Sequence, residues 1–371
     1  MRFVFAISKL GQNGPSGSRI RLAKALQERG HDASILTFSP ALERDIPPGL
    51  HVACIDDPID QFPTGAIGRF RLARSLRRWI RNQENLAPID FLSSSLTGTD
   101  RIFRMAGVSG VRHWIHIATS KLLDDVATAG RRARRRRLYG RLYDGARVIG
   151  VSQGVLDDLA SLDARPLEAD LVYNAFDTAR IRHLAAELPS DLPRDSFVLH
   201  VGRFAVPKRH DLLFEAFASA APGRQLVLLT EPRPALTEMI ERYGLTSRVT
   251  ITGFRQNPYP FIAAADVLVL SSDREGFPNV LLESLICGTP VISTDCPAGP
   301  SEILTHDYAR WLSPPGDGAA LAANLSAVLD APYAIEPWLY ERFSIESVLD
   351  QLEAIASRGP FPSLHRMKLL G

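Results

Sequence analysis

Ser271-Ser-Asp-Arg-Glu-Gly-Phe-Pro-Asn-Val-Leu-Leu-Glu283 is the stretch from which the architecture is read. The apolar residues 267–271 have the length and composition of a strand buried on both faces. Gly276 and Pro278 punctuate a loop, residues 280–287 continue as a helix closed by Gly288, and residues 290–294 form a second strand. Strand, loop, helix and strand in this order make a parallel crossover unit. In such units the loop at the carboxyl end of the strand holds ligands. The first amides of a helix opening near Asn279 lack intrahelical acceptors and favour an anion. Glu275 stands just before that helix and Glu283 about two turns into it, on a similar face. The plain alternative makes Glu275 a helix N-terminal charge and Glu283 a solvated residue.

The same alternation runs outward in both directions. Residues 3–8, 31–38, 89–93, 111–117 and 147–151 read as strands, and a Gly-rich loop at 11–18 precedes a helix at 19–29. Residues 171–194, with Asn174, Asp177, Pro189 and Pro193, read as a connection. A fresh series follows, with strands at 197–201, 225–230 and 249–253 and helices at 208–218 and 235–243. The fold class is α/β: two doubly wound Rossmann-like domains, 1–175 and 176–345, facing a central cleft. A C-terminal helix at about 346–371 is expected to pack back on the first domain.

Composition narrows the classes. The 371 residues suffice for two or three domains, and 45% hydrophobic content excludes a disordered chain. No apolar run is long enough to span a bilayer, and Met1–Gly14 does not read as a signal peptide. Cys54, Cys287 and Cys296 show no metal-site spacing and read as free thiols in a reducing cytoplasm. The net charge of +2 hides an asymmetry: residues 1–180 hold 27 Lys+Arg against 19 Asp+Glu, leaving 16 against 22 for the remainder. A basic first half implies an anionic partner. Arg131-Arg-Ala-Arg-Arg-Arg-Arg137 concentrates six of those charges, and residues 65–82 form a second arginine-rich helix carrying Phe70 and Trp79. An anionic membrane surface suits both segments. No nucleic-acid recognition module accompanies them.

Several segments together resemble a known family. Glu275-Gly-Phe-Pro-Asn-Val-Leu-Leu-Glu283 is similar to the E-x(7)-E motif of the retaining glycosyltransferases of family four, which have the GT-B fold. Val201-Gly-Arg-Phe-Ala-Val-Pro-Lys-Arg-His-Asp-Leu-Leu213, Thr252-Gly-Phe254 and Ala264-Ala-Asp266 match that family in order and spacing. Asp295-Cys-Pro-Ala-Gly-Pro-Ser-Glu302 resembles bacterial members that add hexose or N-acetylhexosamine units to lipid-linked or surface polysaccharides, lipopolysaccharide among them.

The resemblance implies a nucleotide-sugar donor, UDP-linked, as substrate, with no cofactor and no metal. Arg203 and Lys208 would bind the donor diphosphate, an assignment that suits their chemistry as phosphate ligands. Glu283 would accept bonds from the ribose hydroxyls and Glu275 would sit by the sugar ring, as nucleophile or electrostatic stabiliser. Gly276, Phe277, Pro278, Asn279, Val280 and Leu281 would present backbone to sugar and phosphate. Gly253, Phe254 and Arg255 would line the base pocket, mainly through backbone groups. In the first domain, Gly14 matches the second glycine of the family's Gly-Gly loop, whereas Asn13 replaces the first and Ser16 the usual acid. His116 falls at a strand end where the family has a histidine facing the donor sugar, with His113 as a nearby competitor. The acceptor would be a glycan or a polyisoprenyl-phosphate-linked sugar, with the enzyme peripheral at the cytoplasmic face of the membrane. A nucleotide-sugar epimerase of the same fold and a non-catalytic sugar-nucleotide or glycan-binding protein are the rival readings.

Overall fold

A computed structural model describes residues 1–11, 14–41, 45–55, 65–116 and 128–358. The chain divides into two compact units, Met1–Ala175 together with the helix Ile345–Ala356, and Phe176–Ser344. The first unit runs β1 (Arg2–Ile7), α1 (Gly14–Glu28), β2 (Asp32–Thr37), β3 (His51–Cys54), α2 (Ala66–Leu86), β4 (Phe91–Ser95), α3 (Thr97–Ala106), β5 (Arg112–Ile115), α4 (Ala129–Tyr143), β6 (Arg147–Gly150), α5 (Gln153–Ser161) and β7 (Glu168–Leu171). Its sheet has the order β3-β2-β1-β4-β5-β6-β7, with every pairing parallel. Phe3, Val4, Phe5, Ala6 and Ile7 are all fully buried, as a central strand covered on both faces requires.

The second unit runs α6 (Thr178–Ala185), β8 (Phe197–Val201), a 3₁₀ turn (Val206–Lys208), α7 (His210–Ala220), β9 (Gln225–Leu229), α8 (Pro234–Arg242), β10 (Val249–Ile251), α9 (Tyr259–Ala264), β11 (Val267–Leu270), α10 (Asn279–Cys287), β12 (Val291–Thr294), α11 (Pro300–Ile303), β13 (Leu312–Ser313), α12 (Gly318–Asp330) and α13 (Trp338–Glu341). Its sheet, β10-β9-β8-β11-β12-β13, is also parallel throughout. The order reverses between β8 and β11, and both strands end in the loops that carry the candidate site. The last helix, α14 (Ile345–Ala356), lies against α1: Arg29 Nη1 is 2.5 Å from Asp350 Oδ1, and His31 Nε2 is 2.9 Å from Glu353 Oε1.

Several expectations are corrected. Residues 14–18, read as loop, are the first turns of α1, where Ser16 Oγ accepts from Gly11 N at 3.1 Å. Residues 171–194 are not only a connection: Asp177 accepts from Arg180 N at 2.8 Å and caps α6. The helix expected from 208 starts at His210, because Arg209 takes a left-handed φ of 48°. Trp79 is 7% exposed and packs in the core with Leu76 and Phe103, so it is not available to a membrane interface, whereas Phe70 and Ile67 of α2 are exposed. Asn13, Ile117 and residues 359–371 lie outside the described residues. Among the described residues, no helix is long and apolar enough to cross a membrane.

Candidate active site

The site grows from two loops, one after β8 and one after β11. Lys208 closes the 3₁₀ turn of the first and Glu275 lies in the second; Lys208 Nζ donates to Glu275 Oε1 at 2.6 Å. The same carboxylate oxygen accepts from Ser272 Oγ at 2.7 Å. The loops are joined along their backbones: Ser271 Oγ donates to Lys208 O at 2.8 Å and Asp273 N to Pro207 O at 2.8 Å. Arg209 completes the join, with Nη1 2.9 Å from Asp273 Oδ1 and Nη2 2.9 Å from Asp211 Oδ2. These carboxylates raise the Arg209 pKa, and Arg209 lowers that of Asp211. The strained φ of Arg209 is thus held by two acids.

Beneath this join lies a pair of buried histidines. The rings of His200 on β8 and His210 on α7 meet edge to face, with centroids 4.8 Å apart. His200 Nδ1 donates to Val269 O at 2.9 Å, which fixes its tautomer. Burial lowers the two pKa values to about 3 and about 4, with His210 depressing His200 and Lys208 depressing His210. Both rings are therefore neutral near pH 7. Gly202 leaves the room this needs, since a Cβ there would stand 3.2 Å from His200 Nε2 and 3.7 Å from Lys208 Cδ.

The loop from Gly276 to Asn279 is equally constrained. The Phe277 ring is buried 5.5 Å from that of Phe343. Gly299, at φ 110°, lets the loop after β12 lie against it, because a Cβ there would meet Pro278 Cδ at 2.3 Å. At the start of α10, Asn279 N donates to Phe277 O at 3.0 Å and Leu281 N to Pro278 O at 3.1 Å. Two of the first amides of α10, expected to lack acceptors, are thus occupied by the tight turn at Pro278. Val280 and Glu283 are half-buried on α10, and the Cys287 thiol one turn beyond Glu283 is pushed up to about 12 by burial and by that carboxylate.

The remaining expected residues divide by setting. Arg203 is exposed on the loop after β8. Gly253 has a left-handed φ of 80°, and Phe254 beside it is 70% exposed. The Arg255 side chain is engaged, paired with Asp191 and lying 5.1 Å over the Phe261 ring. In the first unit, Gly14 opens α1, and a Cβ there would meet no atom within 4 Å, so internal packing does not require glycine at that position. His116 follows β5, parallel to Trp114 within 6°, and burial together with Arg19 keeps its ring neutral. His113 is buried on the opposite face and bonded to Ser94 Oγ at 2.7 Å and Asp100 Oδ1 at 3.3 Å. Among the described residues, no group of three or more His, Cys, Asp or Glu could hold a metal ion. Residues 131–138 of α4 are exposed throughout.

Sequence reasoning did not single out Ser272, Arg209, Asp211, Asp273 or the His200–His210 pair as parts of the site. The available signal was the polar run at 271–275 opposite the Lys-Arg-His-Asp tetrapeptide at 208–211.

Comparison with known proteins agrees with this architecture. Residues 18–180 match the family described as Glycosyltransferase Family 4, and residues 195–331 match that described as Glycosyl transferases group 1. Over 160 residues the chain is 36% identical to the N-acetylgalactosamine-N,N'-diacetylbacillosaminyl-diphospho-undecaprenol 4-alpha-N-acetylgalactosaminyltransferase of Campylobacter jejuni, covering 42% of this chain and 43% of that protein. It is 33% identical over 183 residues to the lipopolysaccharide core biosynthesis glycosyltransferase LpsE of Rhizobium meliloti, covering 46% of this chain and 52% of the other. The chain thus spans about half the length of the curated relatives it matches. The fold is similar to that of Anabaena Alr3699/HepE, solved in complex with UDP and glucose, at a TM-score of 0.73 and 19% identity over 97% of this chain and 100% of that one. The two doubly wound units thus match the family-four and group-1 glycosyltransferase patterns in turn, and the chain is a family-four-like chain with the fold of the GT-B glycosyltransferases.

Proposed function

We propose that the protein transfers a hexose or N-acetylhexosamine from a nucleotide sugar, UDP-linked, to a glycan or lipid-linked acceptor in the synthesis of surface polysaccharide or glycolipid. The observation that carries this reading is the join of Lys208 to Glu275 by an ion pair of 2.6 Å at the ends of β8 and β11. It brings a phosphate-binding cation and a carboxylate to one point beside the start of α10. Lys208 and Arg203 hold the diphosphate, Glu283 the ribose, and the exposed Phe254 lies against the base. The names of the relatives from Campylobacter and Rhizobium, both transferases of glycan assembly, support the substrate class.

The reaction proceeds with retention. The bond from the anomeric carbon to the phosphate oxygen breaks, and the acceptor oxygen bonds to that carbon on the same face. The acceptor proton passes to the departing phosphate. Lys208 and Arg203 stabilise the charge that develops on the leaving group, which removes the need for a metal. Glu275 acts as an electrostatic stabiliser of the positive sugar. Its Oε1 already accepts from Lys208 and Ser272, and a carboxylate so engaged is a poor nucleophile. His116, kept neutral, offers a ring nitrogen to a sugar hydroxyl. The first unit takes the acceptor. Its exposed α4 arginines, with Phe70 and Ile67 of α2, dock on the anionic inner face of the membrane.

The test is a panel of UDP, GDP and ADP sugars with the purified protein and a lipid-linked acceptor, with the anomeric configuration of the product read by NMR. Transfer from a UDP sugar with retention is the expected result. Interconversion of the nucleotide sugar without any acceptor would instead make the protein an epimerase.

A further inference from the structure

One arginine of the first unit is buried without a carboxylate partner among the described residues. Arg19, on α1, is 0% exposed, and its guanidinium carbon lies 3.4 Å from the centroid of the Trp114 ring. Its one hydrogen bond among the described residues is a long one, Nη2 to Ser18 Oγ at 3.4 Å. Among the described residues, Nε and Nη1 have no partner. A second buried arginine shows how this fold treats a buried cation when its own structure must balance it. Arg112 lies on β5, the strand of Trp114, with Glu168 and Asp170 carboxylates within 4 Å. Among the described residues Arg19 has no such carboxylate, and burial together with Arg21 holds its pKa well below the usual arginine range. A ring face attracts a cation but leaves its N–H groups without acceptors.

The surroundings carry the same imbalance. The register Ile7↔Ser95↔Trp114 and Phe5↔Ser93↔Arg112 sets Ser93, Ser95 and Trp114 on one face of the sheet. Arg19 reaches that face, since it also lies 5.6 Å from the Phe5 ring. Ser93 Oγ, Ser95 Oγ and Trp114 Nε1 are all buried without partners among the described residues. Trp Nε1 and guanidinium nitrogens only donate. The unmet needs are therefore for acceptors bearing negative charge, and a core arranged for its own stability satisfies such groups internally.

We infer that Arg19, with Trp114, Ser93 and Ser95, forms an anion-binding subsite at the carboxyl ends of β4 and β5, of a chemistry that takes a phosphate group. The guanidinium fork and the indole N–H donate to its oxygens, and the serine hydroxyls complete the shell. With Arg19 enclosed, an anion reaches it as the surrounding side chains give way, so binding is a repacking step rather than a surface contact. The inference deepens the reading of the first unit as acceptor-binding and rests on it only for the source of the phosphate. Arg19 acts on His116 electrostatically, so the subsite adjoins the histidine assigned to the sugar.

The experiment is calorimetric titration of the full chain with inorganic phosphate, and with a short polyisoprenyl phosphate against its parent alcohol. It compares wild type, Arg19→Met and Lys208→Ala, with UDP titrated in parallel. Phosphate affinity is expected to fall at least about tenfold in Arg19→Met and to persist in Lys208→Ala, with UDP affinity unchanged by Arg19→Met. Binding of the lipid phosphate alone identifies a lipid-linked acceptor as the source; equal binding of both phosphates supports a subsite that reads phosphate alone. No binding of either phosphate by wild type, or wild-type affinity in Arg19→Met, overturns the inference. So does phosphate binding that is lost only in Lys208→Ala. Should Arg19→Met fail to fold, Trp114→Phe, which removes only the Nε1 donor, decides: weakened phosphate binding supports the subsite and unchanged binding overturns it. Failure of the donor reading would appear separately, as absence of UDP binding.

Discussion

Lys208 Nζ and Glu275 Oε1 are 2.6 Å apart across 67 residues of sequence, which ties the ends of β8 and β11 into one charged centre. In the proposed function a donor diphosphate shares Lys208 with Glu275, so that one cation couples donor binding to the electrostatics of the reacting carbon.

The two glutamates should separate kinetically. Glu275→Gln keeps the bond from Ser272 but removes the charge, so kcat is expected to fall by about 2–4 kcal/mol in barrier while the donor KM changes little. Glu283→Ala removes an interaction made equally in ground and transition states and should raise KM. Steady-state kinetics of both variants checks this; a pure KM effect in Glu275→Gln would remove that residue from the reacting centre.

Activity is expected to persist in EDTA. In the proposed function Lys208 and Arg203 would supply the positive charge that a divalent ion otherwise brings to a diphosphate. Turnover measured after exhaustive chelation, with and without added magnesium or manganese, is the check. Complete loss restored by metal would contradict the cation cradle as the sole neutralising device.

The buried histidines predict acid sensitivity in a defined window. His200 and His210 resist protonation down to about 3 and about 4 in the folded protein, and His116 is shifted in the same direction. An unfolded histidine takes its proton near pH 6.5, so the unfolded state binds more protons in between and stability rises with pH across that interval. Stability is full above the unfolded value and falls as pH drops below it. Between pH 7 and 5 the His200–His210 pair should contribute roughly 2–4 kcal/mol of loss. Glu353 and Asp211, whose pKa values are lowered, act only below that window. Urea unfolding of wild type and His210→Phe at both pH values measures this, with a shallower pH dependence expected in the variant.

Membrane docking should depend on salt and on α4. Vesicle co-sedimentation is expected to favour anionic over neutral lipid and to weaken as salt shortens the screening length to about 8 Å and below. Substituting Ser for Arg131, Arg132, Arg134 and Arg135 should abolish the difference between lipids. Equal binding to both vesicle types would leave the basic helix as a solvated face.

Legibility in the sequence followed burial. Strands with continuous apolar runs, such as β8 and β11, are found within a residue of their expected bounds. The edge strands β3 and β7 are not legible because polar residues break their apolar runs: His51 in β3, and Glu168 and Asp170 in β7. The start of α1 was read as loop because Gly14 and Gly17 suggest a turn, whereas Pro15 sits near the helix start and suits its first turn. In the site, residues within one motif were visible, but partnerships across motifs were not. The ion pair from Lys208 to Glu275 and the brace from Arg209 to Asp273 depend on β8 and β11 being neighbours, which is a property of topology. Arg19 was likewise unreadable, because a helical arginine looks solvated until the sheet face beneath it is known.

The central claim is that Lys208 and Arg203 hold the diphosphate of a nucleotide donor. Titration calorimetry of UDP into wild type, Lys208→Ala and Arg203→Ala tests it without needing the acceptor. Measurable binding by wild type and a loss of about tenfold or more in each variant are expected, with the fold retained by circular dichroism. Wild-type affinity in both variants, or no nucleoside diphosphate bound by the wild-type protein, would contradict it.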